Sequence, residues 1–311
     1  VRLPGQIAAA IEVLADIETR HRPVSEALRD WGLSHRFAGA GDRAIIGNLV
    51  YDALRKRSSL AWRMGGATPW HLAIGVAILE WSNTPAALNA AFAGNKHAPA
   101  SVPDEVVAHL ASHNLADAPD HIRADVPEWV APLLREALGA GWVDEATALA
   151  GRPPLDLRVN TLKADRDKVA RQLAHLGVKP TAYSPIGLRI ASVERSRRHP
   201  NVQAEEAFQR GRFEVQDEGS QLAALMVRAS PGEQVLDLCA GAGGKTLAIA
   251  AAMENRGQIY AHDTDKSRLA PIFDRLKRAG VRNVQVRAPG PRVADDLRSG
   301  MDRVLVDAPC T

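Results

Sequence analysis

The apolar positions of this chain change their period twice. Up to about residue 145 they recur at three and four: Ile7, Ile11, Leu14 and Ile17 mark a first helix. Pro23 and Ser25 open a second through Leu28 and Trp31, and Asp42 is placed to cap a long third carrying Ile45, Ile46, Leu49, Leu54 and Leu60. Thr68-Pro69 opens a fourth and Thr84-Pro85 a fifth, each with proline where a first helical turn tolerates it. Prolines 99, 103, 119 and 127 punctuate a connector with short helices, after which Glu128-Trp129 begins a helix through Leu133, Leu134 and Leu138. This part reads as an all-α bundle.

Gly151-Arg152-Pro153-Pro154 ends the helical period. Beyond it Leu155, Leu157 and Val159 alternate as a half-buried strand does. Residues 165–177 read as a helix with Val169, Leu173 and Leu176 inward, and 181–183 and 188–190 as short strands, a βαββ-like α+β unit. From Gln216 the chain becomes α/β. A helix over 217–229 shows Leu222, Leu225 and Met226 on one face, and a buried parallel strand, Val235-Leu236-Asp237-Leu238, follows. Further strands read at 258–262, 283–287 and 303–306, with a helix over 267–279 burying Leu269, Ile272, Phe273 and Leu276. The predicted organisation is multidomain: residues 1–145 all-α, 152–210 a small α+β unit, and 211–311 a Rossmann-like α/β domain.

The break after Leu238 carries the chemistry. Cys239-Ala240-Gly241-Ala242-Gly243-Gly244 is a glycine turn between a strand and a helix starting at Lys245. Such a turn lets backbone approach a ligand and presents free N–H groups. Gly244-Lys245-Thr246 imitates the end of a P-loop, but the first glycine that motif requires falls on Cys239. The dinucleotide fingerprint fits Gly241 and Gly243 and fails at Thr246. The remaining fit is the turn of S-adenosylmethionine-dependent methyltransferases, whose ligand has no phosphate. An acid about 20 residues on should hold the ribose hydroxyls, and Asp263 closes the second strand at that distance.

Composition narrows the setting. The chain has 311 residues, 46% apolar and 24% charged, enough for two or three domains. No apolar run approaches the ~18 residues that span a bilayer, so no membrane partner is expected. The net charge of +3 permits a nucleic-acid partner without demanding one. Two cysteines, Cys239 and Cys310, both within candidate motifs, point to free thiols, a reducing cytoplasmic setting and no metal site. Arg55-Lys56-Arg57 and the run Arg195, Arg197, Arg198, His199 are open between phosphate contact and a solvated face.

The string Asp237–Thr246, DLCAGAGGKT, resembles motif I of the Sun/Fmu family of RNA 5-methylcytosine methyltransferases. Asp307-Ala308-Pro309-Cys310-Thr311 resembles its motif IV, and Arg158–Lys163 and Val215–Gln221 match two upstream segments in the same order. Residues 41–57 resemble, more loosely, the NusB-type RNA-binding domain at the N-terminus of the family's small-subunit rRNA members.

The resemblance implies S-adenosylmethionine bound at Cys239, Ala240, Gly241, Ala242, Gly243, Gly244 and Lys245 with Asp263 and Asp307, a monomeric protein and 16S rRNA as partner. It implies attack by a cysteine thiolate on carbon 6 of cytosine, activating carbon 5 toward the methyl group. The family's attacking cysteine lies in a Thr-Cys-Ser segment past motif IV. Cys310 is therefore implied as the second cysteine, which resolves the adduct, with Asp307 and Lys245 facing base or cofactor. Asp237 is expected to brace the turn through backbone hydrogen bonds. Cys239 is expected to pack beneath the turn.

One departure is plain: the family's acid in a Gly-Asp pair after the third strand is absent from Val286-Arg287-Ala288-Pro289-Gly290, and the next acid is Asp295. The chain also stops before the Thr-Cys-Ser segment, so as given it is expected to be a partial catalytic domain that does not methylate RNA by itself. A tRNA cytosine-5 methyltransferase and a catalytically incomplete RNA-binding or ribosome-assembly module remain open at this stage.

Overall fold

The computed structural model describes residues 2–194, 197, 199–290 and 295–308. The chain forms two compact units, Val1–Pro153 with Val193–Arg198, and Pro154–Ser192 with His199–Thr311.

The first unit is helical throughout. Leu3–Arg20, Val24–Ser34, Ala40–Arg55, Arg57–Met64 and Pro69–Gly75 pack Ile7, Leu14, Ile46, Leu49, Leu60, Met64, Leu72 and Ile74 into one core. Thr68 and Thr84 cap the helices they precede, accepting from His71 N at 3.4 Å and Ala87 N at 3.1 Å. The expected long third helix is two. Lys56 leaves helical geometry, and the new helix is capped from afar: Asp125 accepts from Ser59 N and Ser59 Oγ, both at 2.7 Å. Asp42 is not the N-cap residue. Gly39 is, and Asp42 reaches back to its N–H at 3.3 Å. The helical part runs on through Ala131–Leu138 and Trp142–Leu149. Arg152, in the break read as a boundary, is fastened to the buried Asp52 by two hydrogen bonds, one of 2.8 Å.

The second unit holds two sheets. In the first, β1 (Leu155–Val159), β2 (Lys179–Pro180), β3 (Gly187–Ile190) and β4 (Phe213–Val215) lie antiparallel in the order β2-β3-β1-β4. Strand β4 was not foreseen, and it carries this sheet past residue 210. The 181–183 stretch is a turn rather than a strand, because the Glu218 carboxylate accepts from Tyr183 N at 2.6 Å and Ser184 N at 2.8 Å. Strand β1 is buried on both faces beyond Leu155. Its outward positions are charged but paired: Asp156 takes two bonds from Arg189, at 2.6 and 2.7 Å, and Arg158 lies opposite Glu214.

In the second sheet β5 (Gln234–Asp237), β6 (Gln258–His262), β7 (Val284–Arg287) and β8 (Arg303–Leu305) are parallel in the order β7-β6-β5-β8. The expected 267–279 helix is broken into Lys266–Leu269 and Ile272–Ala279 around Pro271, which has no N–H to continue the ladder, and Phe273 is 60% exposed instead of buried. Helix Glu218–Met226 likewise buries Gln221 and Ala224, leaving Met226 78% exposed.

The upstream motif Arg158–Lys163 joins the two sheets. Asn160 Nδ2 donates to the carbonyls of Gly211 and Ala279, both at 2.8 Å. Lys163 Nζ donates to those of Arg210 at 3.0 Å and Arg278 at 2.7 Å, satisfying the end of helix Ile272–Ala279. Gly211, at φ 68°, passes so close that an added Cβ would sit 1.9 Å from the Arg278 carbonyl oxygen.

Candidate cofactor and catalytic site

Strand β5 ends at Asp237, and the glycine turn follows at the C-terminal edge of the parallel sheet, where open α/β sheets bind ligands. Gly241 and Gly243 take φ 51° and 81°, and a Cβ on Gly243 would lie 2.5 Å from Ile272 Cγ1. The turn closes by Gly243 N donating to Ala240 O at 2.8 Å, and helix Gly244–Ala252 starts there with no side-chain cap among the described residues.

Asp263 follows β6 and crosses to this turn: one oxygen accepts from Gly241 N and the other from Asp265 N, both at 2.9 Å. A carboxylate offers about four lone-pair sites, so two remain for a ligand. Asp237 is buried and accepts from Thr246 Oγ1 at 2.6 Å; its brace is this hydroxyl and not the expected backbone N–H. Burial pushes its pKa up to about 6, a rise opposed by Thr246 and Lys245 and reinforced by Asp307 and Asp263. Cys239 is half-buried, and burial, followed by the same three carboxylates, raises its thiol pKa, so it is not a ready nucleophile. Lys245 Nζ forms a short ion pair with the half-exposed Asp307. Asp237, Asp263, Asp307, Lys245 and the turn therefore meet around one edge.

Sequence reasoning missed what stands behind the turn. The Ala242 carbonyl accepts from Arg275 Nη1 at 2.8 Å, and Arg275 is held by Glu214 on β4 at 3.0 Å. Glu214 also takes Arg278 at 2.5 Å and faces the buried Arg158. Gln216, inside the Val215–Gln221 segment, brings its amide nitrogen within 3.4 Å of where a Gly244 Cβ would lie, and its Oε1 is buried without a partner among the described residues. Arg275 carries no local signal, because its partners lie 33 and 61 residues away.

Where an acid was expected after the third strand, β7 ends in Arg287. It makes two bonds to Asp296, at 3.0 and 2.9 Å, and lies 5.0 Å over the Tyr260 ring. Cys310 lies outside the described residues, as do Arg195 and Arg198. The Arg197 carbonyl accepts from Asn48 Nδ2 at 2.8 Å. The cluster Arg55, Lys56, Arg57 is not a free basic face: the three pair with Asp52 at 2.7 Å, which Arg55 shares with Arg152, with Glu80 at 2.6 Å and with Glu18 at 2.7 Å. Among the described residues no group of three or more His, Cys, Asp or Glu side chains is placed to hold a metal ion, and no helix is long and apolar enough to cross a membrane.

Comparison with known proteins gives the family of the chain. Residues 224–311 match the family profile described as 16S rRNA methyltransferase RsmB/F, and residues 126–194 match the RsmF/B-like ferredoxin-like domain. The ribosomal RNA small subunit methyltransferase B of Sodalis glossinidius is 30% identical over 296 residues, covering 87% of this chain and 66% of its own length. The chain belongs to the Sun/Fmu family of RNA 5-methylcytosine methyltransferases. The probable ribosomal RNA small subunit methyltransferase B of Synechocystis sp. is 33% identical over 193 residues, covering 60% of this chain and 42% of its own length. This chain thus spans roughly half to two thirds of these Sun/Fmu relatives. The solved structure of PH0851 covers 100% of the chain and 75% of its own, at a TM-score of 0.69 and 26% identity. A helical N-terminal part followed by α/β sheets is the architecture this chain shares with it.

Proposed function

We propose that this chain binds S-adenosylmethionine at Cys239–Lys245 and Asp263 and contributes to methylation of carbon 5 of a cytosine in 16S rRNA. The observation that carries the reading is the meeting of the glycine turn, the buried Asp263 carboxylate and the Lys245–Asp307 pair at the ends of β5, β6 and β8. The residues fit the cofactor: two positive-φ glycines allow close approach, Asp263 keeps acceptor capacity for ribose hydroxyls, and three carboxylates suit a ligand whose sulfonium and ammonium groups are cationic. When bound, the cofactor supplies an electrophilic methyl group.

The chain's own residues then have distinct tasks. Asp307, half-exposed, accepts a hydrogen bond from the cytosine amino edge, and Lys245 fixes its carboxylate. A thiolate adds to carbon 6 from the family's Thr-Cys-Ser segment, and after methyl transfer the carbon-5 proton leaves as that thiol is expelled, the stage at which Cys310 acts. The helical unit serves as a NusB-like RNA-binding domain of a monomeric cytoplasmic protein.

Two measurements test this. Asp263→Ala is expected to weaken S-adenosylmethionine binding by about 1–3 kcal/mol in calorimetry, the cost of a lost buried acceptor; unchanged affinity removes Asp263 from the site. In the protein carrying the Thr-Cys-Ser segment, Cys310→Ala is expected to accumulate a covalent RNA adduct, seen as a retarded band on a denaturing gel. The absence of that band in Cys310→Ala, with its appearance in the Thr-Cys-Ser variant, reverses the two cysteines.

A further inference from the structure

The helical unit carries a cavity of about 1330 Å³ that the methyltransferase chemistry does not use. Three segments form it: Arg2–Glu12 at the start of helix Leu3–Arg20, the stretch Trp31–Phe37, and Ala91–Ala98. Its aromatic part is a fixed platform. Trp31 and His35 are stacked at 4.3 Å with planes 10° apart, and Phe37 stands edge-on to both at 6.5 and 5.7 Å. The polar atoms of this platform are already engaged: Trp31 Nε1 donates to Glu12 at 2.9 Å, and His35 Nδ1 to the Trp31 carbonyl at 2.9 Å. Phe37 is 73% exposed, its ring contacts with Trp31 and His35 being edge-on.

The rest of the lining has two parts. Small residues, Gly5, Ala8, Ala9, Ala91, Ala93 and Ala98, leave room beside the rings. Arg2 and Lys96 are exposed and carry no ion pair among the described residues, while the one acid, Glu12, is occupied by Trp31 and lies 4.0 Å from His35. An exposed aromatic face, free cations and space for a flat ring are the elements that hold single-stranded nucleic acid: stacking on the base and charge on the backbone. An apolar peptide would use the ring but not the cations.

We propose that this cavity binds an unstacked nucleotide of single-stranded RNA, with the base stacked on Phe37 and the flanking phosphates met by Arg2 and Lys96. The proposal rests on the RNA-directed reading above and gives the helical unit a contact independent of the ion-paired Arg55-Lys56-Arg57 cluster. Phe37→Ala removes a mostly exposed ring with two edge-on contacts, so only a small loss of stability is expected.

The test is fluorescence anisotropy with a labelled single-stranded RNA and with a duplex of the same sequence, over a salt series, alongside calorimetric S-adenosylmethionine binding. Phe37→Ala is expected to weaken the single strand about five- to hundredfold, the loss of one base–aromatic stack, with little effect on the duplex. Phe37→Tyr should retain affinity. Arg2→Ala with Lys96→Ala should flatten the salt dependence, by about one to two counterions. Wild-type affinity in Phe37→Ala overturns the proposal. So does equal weakening of single strand and duplex, or loss in Phe37→Ala of binding to an uncharged apolar peptide probe with RNA affinity kept, which would make the cavity a peptide site. Normal cofactor binding with no effect of Phe37 on RNA sinks this inference alone; normal RNA binding with no cofactor binding sinks the cofactor reading instead.

Discussion

Glu214→Ala is expected to destabilise the unit that contains both sheets by about 3–5 kcal/mol, because it leaves cations without their common counter-charge. Glu214 is itself buried, and it faces three guanidinium groups: Arg158, 2% exposed, with Arg275 and Arg278 bonded to it at 3.0 and 2.5 Å. Burial already draws the pKa of Arg158 down to about 10, with Glu214 holding it up. Removing the carboxylate should hasten hydrogen exchange at β4, β1 and the glycine turn, since Arg275 can then no longer hold the Ala242 carbonyl from a fixed position. Glu214→Leu combined with Arg158→Met should recover only the part of the loss due to Arg158, because Arg275 and Arg278 still lack their counter-charge. Cofactor affinity is expected to fall in the single variant. A loss under about 1 kcal/mol, with exchange at the turn unchanged, would show that the network does not hold the sheets and turn together.

The second large effect is a dependence on pH. Asp237 has a folded-state pKa of about 6, raised mainly by burial, against an unfolded value near 3.9. The folded protein therefore binds this proton more tightly than the unfolded chain does. The stability the group contributes is fully present below about pH 4 and is lost as pH rises through about 6. A rise of about two units corresponds to about 3 kcal/mol. Asp237→Asn keeps an acceptor for the Thr246 hydroxyl and has no charge to desolvate. The variant is expected to gain on the wild type by up to about 3 kcal/mol between pH 4 and pH 7, measured by urea unfolding at each pH. Parallel pH profiles for the two proteins would mean that Asp237 is ionised at no unusual cost.

The local determinants of this fold could be read directly. Thr68, Thr84, Asp165 and Asp217 stand where they cap, each accepting from an N–H three residues on, so type and spacing suffice. The glycine turn was legible for the same reason: positive φ at Gly241 and Gly243 is a property of single residues, and β5 and β6 are apolar runs bounded by it. The distance from the turn to Asp263 is set by one strand–helix–strand unit, which brought the acid to Gly241 N.

What depended on partners remote in the chain was decided by tertiary structure. The third helix broke at Lys56 because Asp125, 66 residues from Ser59, supplies its cap. A run of three cations became ion-paired because Glu18, Asp52 and Glu80 fold against it. The turn at 181–183 replaced a strand because Glu218 binds its N–H groups, and Arg287 found Asp296 where no acid adjoins the strand. The behaviour of Arg275, Glu214 and Asp237 also comes from the assembled protein. Caps and periodicity act within a few residues and are written in order along the chain. The strength of a charge pair and the shift of a carboxyl depend on which distant group arrives and how much water it displaces.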